Sequence, residues 1–136
     1  MIRQIAITLT NHERGFHLIT SKIEKQIGRL PEAGILNLFL QHTSAALTIN
    51  ENADPSVRID FETVFNKLIP EHDADYTHIF EGADDMPAHV KSSILGNSLS
   101  IPIQNNRLAL GIWQGIYLCE FRNNGGRRNI LATIYQ

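Results

Sequence analysis

Residues 108–121, LALGIWQGIYLCEF, decide the fold class, because apolar side chains occupy both alternating sets of positions of an extended chain. A strand with one solvated face is apolar only at every second position, whereas a strand buried on both faces is apolar throughout. One set contains Ile112, Ile116 and Leu118, and the other contains Trp113, Tyr117 and Phe121. We therefore expect this strand to be covered on both faces by helices, by a second sheet or by another subunit.

Further strands are predicted on both sides of this stretch. Residues 130–135 show the same two-sided pattern, and Asn-Asn-Gly-Gly at 123–126 is typical of a hairpin turn between the two strands. Alternation in residues 5–9 and a short apolar run in 16–19 predict a second hairpin at the N-terminus. Alternating apolar residues predict further strand segments at 36–40, 47–49 and 99–103.

Three helices are predicted from start signals and helical periodicity. Ser21 and Glu24 have the spacing of a capping box before a short amphipathic segment. Asp54 followed by Pro55 predicts the start of a longer helix, and a third helix is expected over about residues 86–95. Strands outnumber helices, so the expected fold class is α+β, with a mostly antiparallel, strand-rich sheet core and about three helices. A single domain of residues 1–136 is expected.

Composition limits the classes of partner and compartment. Twelve basic and fourteen acidic residues among 136 give a formal net charge of -2, so no overall positive field favours nucleic acid or an anionic membrane. No segment approaches the roughly 20 apolar residues of a membrane span. The lone Cys119 lies in an apolar run and is expected to be a buried, reduced thiol, which favours a cytoplasmic protein.

The most polar stretch of interest is HIFEGADDMPAHVKSS at residues 78–93, with two histidines, three carboxylates and a lysine. His78 and His89 are eleven positions apart, so any metal site must be assembled in three dimensions. A structural explanation covers part of the stretch, because Asp85 can cap the third helix. His89 falls in its first turn, where the helix dipole favours a neutral, metal-binding imidazole. Lys91 and Ser92, which follow, can receive an anion together with free amides.

A second candidate site is the triplet His42-Thr43-Ser44, between two strand segments without a Gly or Pro. We expect one long bent strand or two tightly joined strands, with the kink at the triplet. Taken alone, His42 is explained as a hydrogen-bonded structural residue. The two hydroxyls that follow it, with the backbone amides of a kink, would suit a phosphate or a carboxylate.

Polar residues at the two ends of the central strand form a third candidate group. Gln114 and Glu120 point to the same side but lie roughly 20 Å apart on a straight strand. They cannot serve one small site unless a neighbouring subunit contributes. Arg122, Arg127 and Arg128 flank the predicted turn, where forked guanidinium donors could bind phosphate. At least one of these three arginines is expected to be exposed to solvent without binding a ligand.

Three runs together resemble the YjbQ-like family, often described as secondary thiamine-phosphate synthase. They are QHTSAALTINENADPSVRIDF at 41–61, HIFEGADDMPAHVKSSILGNSLSIPI at 78–103 and LALGIWQGIYLCEFRNNGGRR at 108–128. The resemblance implies an α+β trimer with pockets between subunits. It also implies a histidine-rich pocket that holds a zinc-like metal in some members, onto which His42, His78 and His89 map.

The resemblance implies a transferase that joins a hydroxymethylpyrimidine diphosphate to a thiazole phosphate and releases pyrophosphate. We expect a cytoplasmic, homotrimeric enzyme that binds a small phosphorylated ligand and a divalent metal, zinc or alternatively magnesium. The expected catalytic residues are Asp85, Lys91, Glu120 and Arg127, and the expected ligand-binding residues are Thr43, Ser44, Ser92, Gln114 and Arg122. Two alternatives are metal-assisted hydrolysis of a phosphate ester and a metal or small-ligand binding module without catalysis.

Overall fold

A computed structural model describes all 136 residues of the chain. Its elements follow one another as β1 (Ile2–Leu9), β2 (Gly15–Leu18), α1 (Thr20–Ile27), β3 (Ala33–Leu40), β4 (Ala45–Glu51), α2 (Pro55–Leu68), α3 (Asp85–Leu95), β5 (Ser98–Gln104), β6 (Arg107–Leu108), β7 (Gln114–Glu120) and β8 (Arg128–Tyr135). Three helices and eight strands confirm the expected α+β class. None of the helices is long and apolar enough to cross a membrane.

The strands form two antiparallel sheets. The larger sheet has the order β1-β8-β3-β5-β6, and the smaller has the order β2-β7-β4. All strand pairings in the two sheets are antiparallel. A cluster of 17 buried apolar residues contains side chains from both sheets and from α1. The hydrophobic contact between the facing sheets is therefore the main core of the protein.

The central strand β7 confirms the two-sided pattern of its sequence. Ile116 and Leu118 belong to the main core. Tyr117 and Cys119 point the other way and join a second cluster of six buried residues, which is completed by side chains of α2 and α3. Burial raises the pKa of the Cys119 thiol well above its ordinary value. The predicted strand is too long at its start, because Trp113 precedes β7 and is 63% exposed.

Both predicted hairpins are wrong. Strand β1 pairs with β8, and β2 pairs with β7, so the chain changes sheets after β1 and again after β7. Local turn chemistry indicates where the chain reverses but not which sheet receives the next strand. Here the connections at 10–14 and 121–127 are long enough to cross the roughly 10 Å between facing sheets. The triplet His42-Thr43-Ser44 makes a third such crossing, from β3 to β4.

The helices agree with their predicted positions but less well with their predicted ends. The Asp54 carboxylate accepts a hydrogen bond from the Ser56 amide at 2.9 Å, as expected for the cap of α2. Helix α1 begins at Thr20 without a side-chain cap, so the capping box is wrong. Helix α3 begins at Asp85, but neither Asp84 nor Asp85 caps it, because both carboxylates bind Arg122.

A close approach between β3 and the end of β8 generates a stability prediction. A methyl group on Gly34 would overlap the backbone carbonyl oxygen of Tyr135, which cannot move without breaking the pairing of β3 with β8. We expect Gly34→Ala to lower the free energy of unfolding by about 2 kcal/mol or more. Urea denaturation followed by circular dichroism measures this change.

Gly126→Ala is the matched control, because Gly126 has a φ of 72° and no atom near the position of an added methyl group. It should cost only the roughly 1 kcal/mol of a left-handed alanine. If both variants lose the same free energy of unfolding, the carbonyl group of Tyr135 does not restrict the side chain at position 34.

A candidate metal centre beside a polar cavity

One face of α3 carries most of the candidate site. At 100° per residue, positions 85, 89, 92, 93 and 96 fall on the same side of a helix. Asp85 and Ser92 are buried on this side, and His89 is half-buried. Ser92 donates a hydrogen bond of 2.7 Å to the carbonyl oxygen of Ala45, which ties the helix to the first residue of β4. The helix therefore presents its polar groups from a fixed position.

The carboxylate of Asp85 is the centre of the hydrogen-bonded groups. Its Oδ2 lies 2.7 Å from Nε2 of His78 and 3.2 Å from Nε2 of His89, while its Oδ1 accepts from Arg122. Its side chain is only 3% exposed. Burial alone would raise the pKa of Asp85, but the hydrogen bond with His78 and the charge of Arg122 outweigh burial and lower it. Asp85 is therefore held as a carboxylate.

Arg122 fixes this carboxylate and the loop before α3 together. Its Nε donates to Oδ2 of Asp84 at 2.9 Å, and its Nη2 donates to the carbonyl oxygen of Glu81 at 2.9 Å. The Asn123 amide also donates to Asp84. Burial would lower the pKa of Arg122, but its bonds and charge interactions with the aspartates raise it overall. A permanently charged guanidinium thus holds two adjacent carboxylates in place.

Three side chains offer donor atoms for a metal ion. One ring nitrogen of His78, one ring nitrogen of His89 and one carboxylate oxygen of Asp85 all lie within 4.8 Å of one another. Glu81 adds an oxygen 2.8 Å from Nε2 of His78. Two imidazoles and one carboxylate are a ligand set that binds zinc and other divalent transition metals.

The tautomer of His89 fits this ligand set. Its Nδ1 lies 3.0 Å from the carbonyl oxygen of Thr43, which can only accept, so Nδ1 carries the hydrogen. In the neutral ring the lone pair is then on Nε2, which faces Oδ2 of Asp85 at 3.2 Å. Two electron-rich atoms are stable at this distance only with a proton or a metal ion between them. Metal-binding histidines ordinarily donate their second N–H in this way.

A cavity of about 340 Å³ lies beside His89. Its lining contains no apolar side chain: it consists of His42, Thr43, His89, Ser92, Ser93, Gly96 and Asn97. One wall is α3 and its end, and the other is the crossing from β3 to β4. The predicted binding residues Thr43 and Ser92 are therefore brought together, with His89 common to the cavity and the candidate metal centre.

His42 lines the cavity but is not among the clustered donor atoms. Its Nε2 accepts a hydrogen bond from the Asn129 amide at 2.7 Å, which leaves only the N–H on Nδ1 in a neutral ring. Burial and the nearby charge of Arg128 lower the pKa of His42. The structure therefore groups His78 and His89 with Asp85, and places His42 as a neutral hydrogen-bond donor.

Glu120 is buried in an ion pair rather than exposed to a ligand. Its Oε1 accepts from Nε of Arg128 at 2.7 Å, and its second oxygen also binds this guanidinium. Arg128 donates in addition to Oγ of Ser44 at 3.0 Å. Neither Glu120 nor Ser44 lines the cavity. The neighbouring Arg127, predicted as a catalytic residue, is exposed and forms no ion pair within the chain.

Lys91 and Gln114 lie away from the other predicted residues. Lys91 is about 200° around α3 from His89, so it points towards α2, where its Nζ donates to Asn66 at 2.7 Å. Burial and repulsion by Arg14 lower the pKa of Lys91. Gln114 begins β7 and accepts from the Gly111 amide at 2.7 Å, which closes a turn. Glu120 ends the same strand, so the two residues lie at opposite ends of β7.

Several residues of the site are absent from the sequence-based list. Glu81, three positions after His78, could have been found from that spacing. Ser93 follows His89 by four positions, the spacing that places two residues on one helix face. No local pattern indicates Asn97, because it lies after the helix end. Arg128 was named together with Arg127 beside the turn, but the sequence does not show which of the two is buried.

The sequence matches the UPF0047 protein YjbQ-like family over residues 5–136. The chain belongs to this family. It is 55% identical over 133 residues to the UPF0047 protein YjbQ of Salmonella typhimurium, with 96% of each chain covered. It is 40% identical over 126 residues to the UPF0047 protein YugU of Bacillus subtilis, with 89% of each covered.

Solved structures have the same fold. A conserved hypothetical protein from Thermus thermophilus superimposes with a TM-score of 0.83 at 32% identity, over 97% of this chain and 99% of that one. An uncharacterized YjbQ/UPF0047 protein from Clostridium acetobutylicum gives a TM-score of 0.79 at 38% identity, over 96% and 98% of the two chains. The resemblance seen in the sequence is therefore confirmed for family and fold.

The bonds of Arg122 generate a prediction about stability. We expect Arg122→Met to lower the free energy of unfolding by about 2–4 kcal/mol, because it leaves the carboxylate of Asp85 buried without its partner. Adding Asp85→Asn should recover part of this loss, since the amide carries no charge. Urea denaturation of the single and double variants measures both effects.

Arg127→Met is the matched control, because Arg127 is exposed and unpaired on the same connection. It should change the free energy of unfolding by less than about 0.5 kcal/mol. If Arg122→Met lowers the free energy of unfolding no more than Arg127→Met does, Arg122 does not hold the aspartates in place.

Proposed function

We propose that this protein is a divalent-metal-dependent enzyme that acts on a small phosphorylated molecule. The observation that carries the proposal is the convergence of His78, Asp85 and His89 within 4.8 Å, at the edge of a cavity lined only by polar residues and glycine. Zinc suits two imidazoles and a carboxylate. Magnesium prefers oxygen ligands and has less support here.

When bound, the metal would supply a Lewis acid that polarises a phosphoryl oxygen and activates water. The chain's own residues prepare the site. Thr43 holds the ring of His89 with Nε2 free, and Arg122 holds the carboxylate of Asp85 in its ionised form. Such outer contacts fix the orientation of metal ligands. Two ligands come from α3 and are rigid, whereas His78 comes from the preceding loop.

Metal-assisted hydrolysis of a phosphate monoester is the reaction that the geometry supports best. A thiamine-type condensation must stabilise a departing pyrophosphate, a task suited to several cations. The cations expected for it are engaged or distant: Lys91 bonds to Asn66, and Arg122 is neutralised by two aspartates. The cavity is lined by no lysine or arginine. The thiamine-phosphate synthase reaction is the second candidate, on the strength of the family resemblance.

We propose a homotrimer as the working assembly. Helix α2 has no buried residue, and Leu68 on its surface is 64% exposed. Ile112 is 82% exposed and Phe80 is 94% exposed. Apolar surface of this extent supports burial against other subunits. The buried thiol of Cys119 supports a reducing, cytoplasmic location.

The ligand assignment predicts the metal content of variants. After saturation with zinc and removal of the excess, the natural protein should retain about one ion per chain, and His89→Ala should retain almost none. Mass spectrometry of the dialysed protein measures zinc against protein. His72→Ala is the control, because the His72 side chain is 81% exposed outside this cluster. An unchanged zinc content in His89→Ala would remove His89 from the ligand set.

The products distinguish the candidate reactions. Metal-loaded protein incubated with a phosphate monoester should release inorganic phosphate, and Asp85→Asn should reduce this rate by at least about 100-fold. A joined product and pyrophosphate, formed from a pyrimidine diphosphate and a thiazole phosphate, would favour the synthase instead. If the ligands raise the midpoint temperature of thermal unfolding but remain chemically unchanged, the protein is a binding module and not an enzyme.

A further inference from the structure

The composition of the cavity beside His89 is unusual for a small-molecule site. Pockets of 300–1,000 Å³ are ordinarily lined mainly by apolar and aromatic side chains with a few polar groups. This cavity, at about 340 Å³, has no apolar side chain in its lining and no lysine, arginine, aspartate or glutamate. Its walls are hydroxyls, an amide and imidazoles. They can pair with an uncharged, hydrogen-bonding ligand.

Three of these polar groups are free to bind. The hydroxyls of Thr43 and Ser93 and the amide of Asn97 are exposed in the cavity wall and form no hydrogen bond within the chain. A ligand hydroxyl can both donate and accept, so it can replace water at each of these groups with little loss. An aromatic ring would displace the same water and leave the groups unpaired.

The two ends of the cavity differ in what they can hold. His89 stands at one end and belongs also to the candidate metal centre. Ser93 lies one turn of α3 beyond His89, and Asn97 lies further away, after α3 finishes at Leu95. The carbonyl end of a helix carries partial negative charge and disfavours a phosphate. The phosphate is therefore directed to the His89 end, and the uncharged part of the ligand to the Asn97 end.

We propose that the substrate is the phosphate monoester of a sugar or polyol, with its hydroxyls bound by Thr43, Ser93 and Asn97. This inference rests on the proposed function and deepens it. In the reaction, the oxygen of water bonds to phosphorus, the ester P–O bond breaks, and a proton passes to the departing alkoxide oxygen. The products are inorganic phosphate and the free polyol. Ser93 and Asn97 determine specificity without taking part in the chemical step.

The test compares three probes on the zinc-loaded protein: sorbitol 6-phosphate, phenyl phosphate and methyl phosphate. The KM for sorbitol 6-phosphate should be at least about tenfold below that for phenyl phosphate. Ser93→Ala and Asn97→Ala should each raise the KM for sorbitol 6-phosphate about fivefold, with kcat unchanged. Neither variant should change kcat/KM for methyl phosphate, which has no hydroxyl to bind, or the zinc content.

Ser21→Ala and Asn11→Ala are matched controls, since both are exposed polar residues outside the cavity. They should leave all kinetic constants unchanged. The inference is overturned if phenyl phosphate is preferred or equally good. It is also overturned if Ser93→Ala and Asn97→Ala impair methyl phosphate as strongly as sorbitol 6-phosphate, because the variants would then disturb the whole site.

Calorimetry separates this inference from the proposed hydrolysis. If no probe is hydrolysed, the hydrolytic function fails, and the dissociation constants decide the ligand class. Binding of sorbitol 6-phosphate at least about tenfold tighter than phenyl phosphate, weakened by Asn97→Ala, would uphold the polyol phosphate as ligand. Equal binding of the two probes, or no binding of either, would overturn it.

Discussion

The buried ion pair of Glu120 with Arg128 is the interaction on which the architecture around the site depends. It joins the end of β7 in the smaller sheet to the start of β8 in the larger sheet, and both side chains are almost fully buried. Burying two charges is costly unless their remaining polar atoms are paired. Arg128 meets this condition by bonding also to Ser44, so the third crossing of the chain is fixed to the same point.

The cavity follows from this arrangement. The residue after Arg128 supplies the amide that orients His42, and the residue before Ser44 supplies the carbonyl that orients His89. One wall is therefore set by a buried ion pair at the junction of the sheets, and the other by a helix bound to the first residue of β4. Gly125 completes the junction, because a methyl group there would strike the Glu120 carboxylate. The polar groups are thus positioned before any ligand arrives, which reduces the cost of binding.

How far the sequence predicts this protein depends on the range of each signal. The two-sided pattern of residues 108–121 correctly indicated a strand covered on both faces, and Asp54 with Pro55 correctly started α2. Both signals are local. The partners of β1 and β2 were missed, because a turn sequence carries no information about sheet exchange. His78, Asp85 and His89 were named as candidate residues because they share one stretch, and the structure brings these three side chains together. The sequence does not show that His42 and Lys91 lie apart from this cluster. The position of His42 depends on where the chain crosses from β3 to β4, and the direction of Lys91 depends on its angle around α3.

The exchange of sheets has a consequence for how the chain reaches its native state. Strand β1 pairs only with β8, and β2 pairs only with β7. An edge strand of each sheet therefore cannot pair until the late strands β7 and β8 are available. Contacts between residues so distant in sequence require the closure of large loops. The chain loses this conformational entropy before it gains free energy from burying apolar surface, so folding is slow. During synthesis, β1 has no partner in its sheet until β8 leaves the ribosome. An unpaired strand of this kind can bind other chains, so the incomplete chain exposes a strand edge that favours aggregation until β8 has been made.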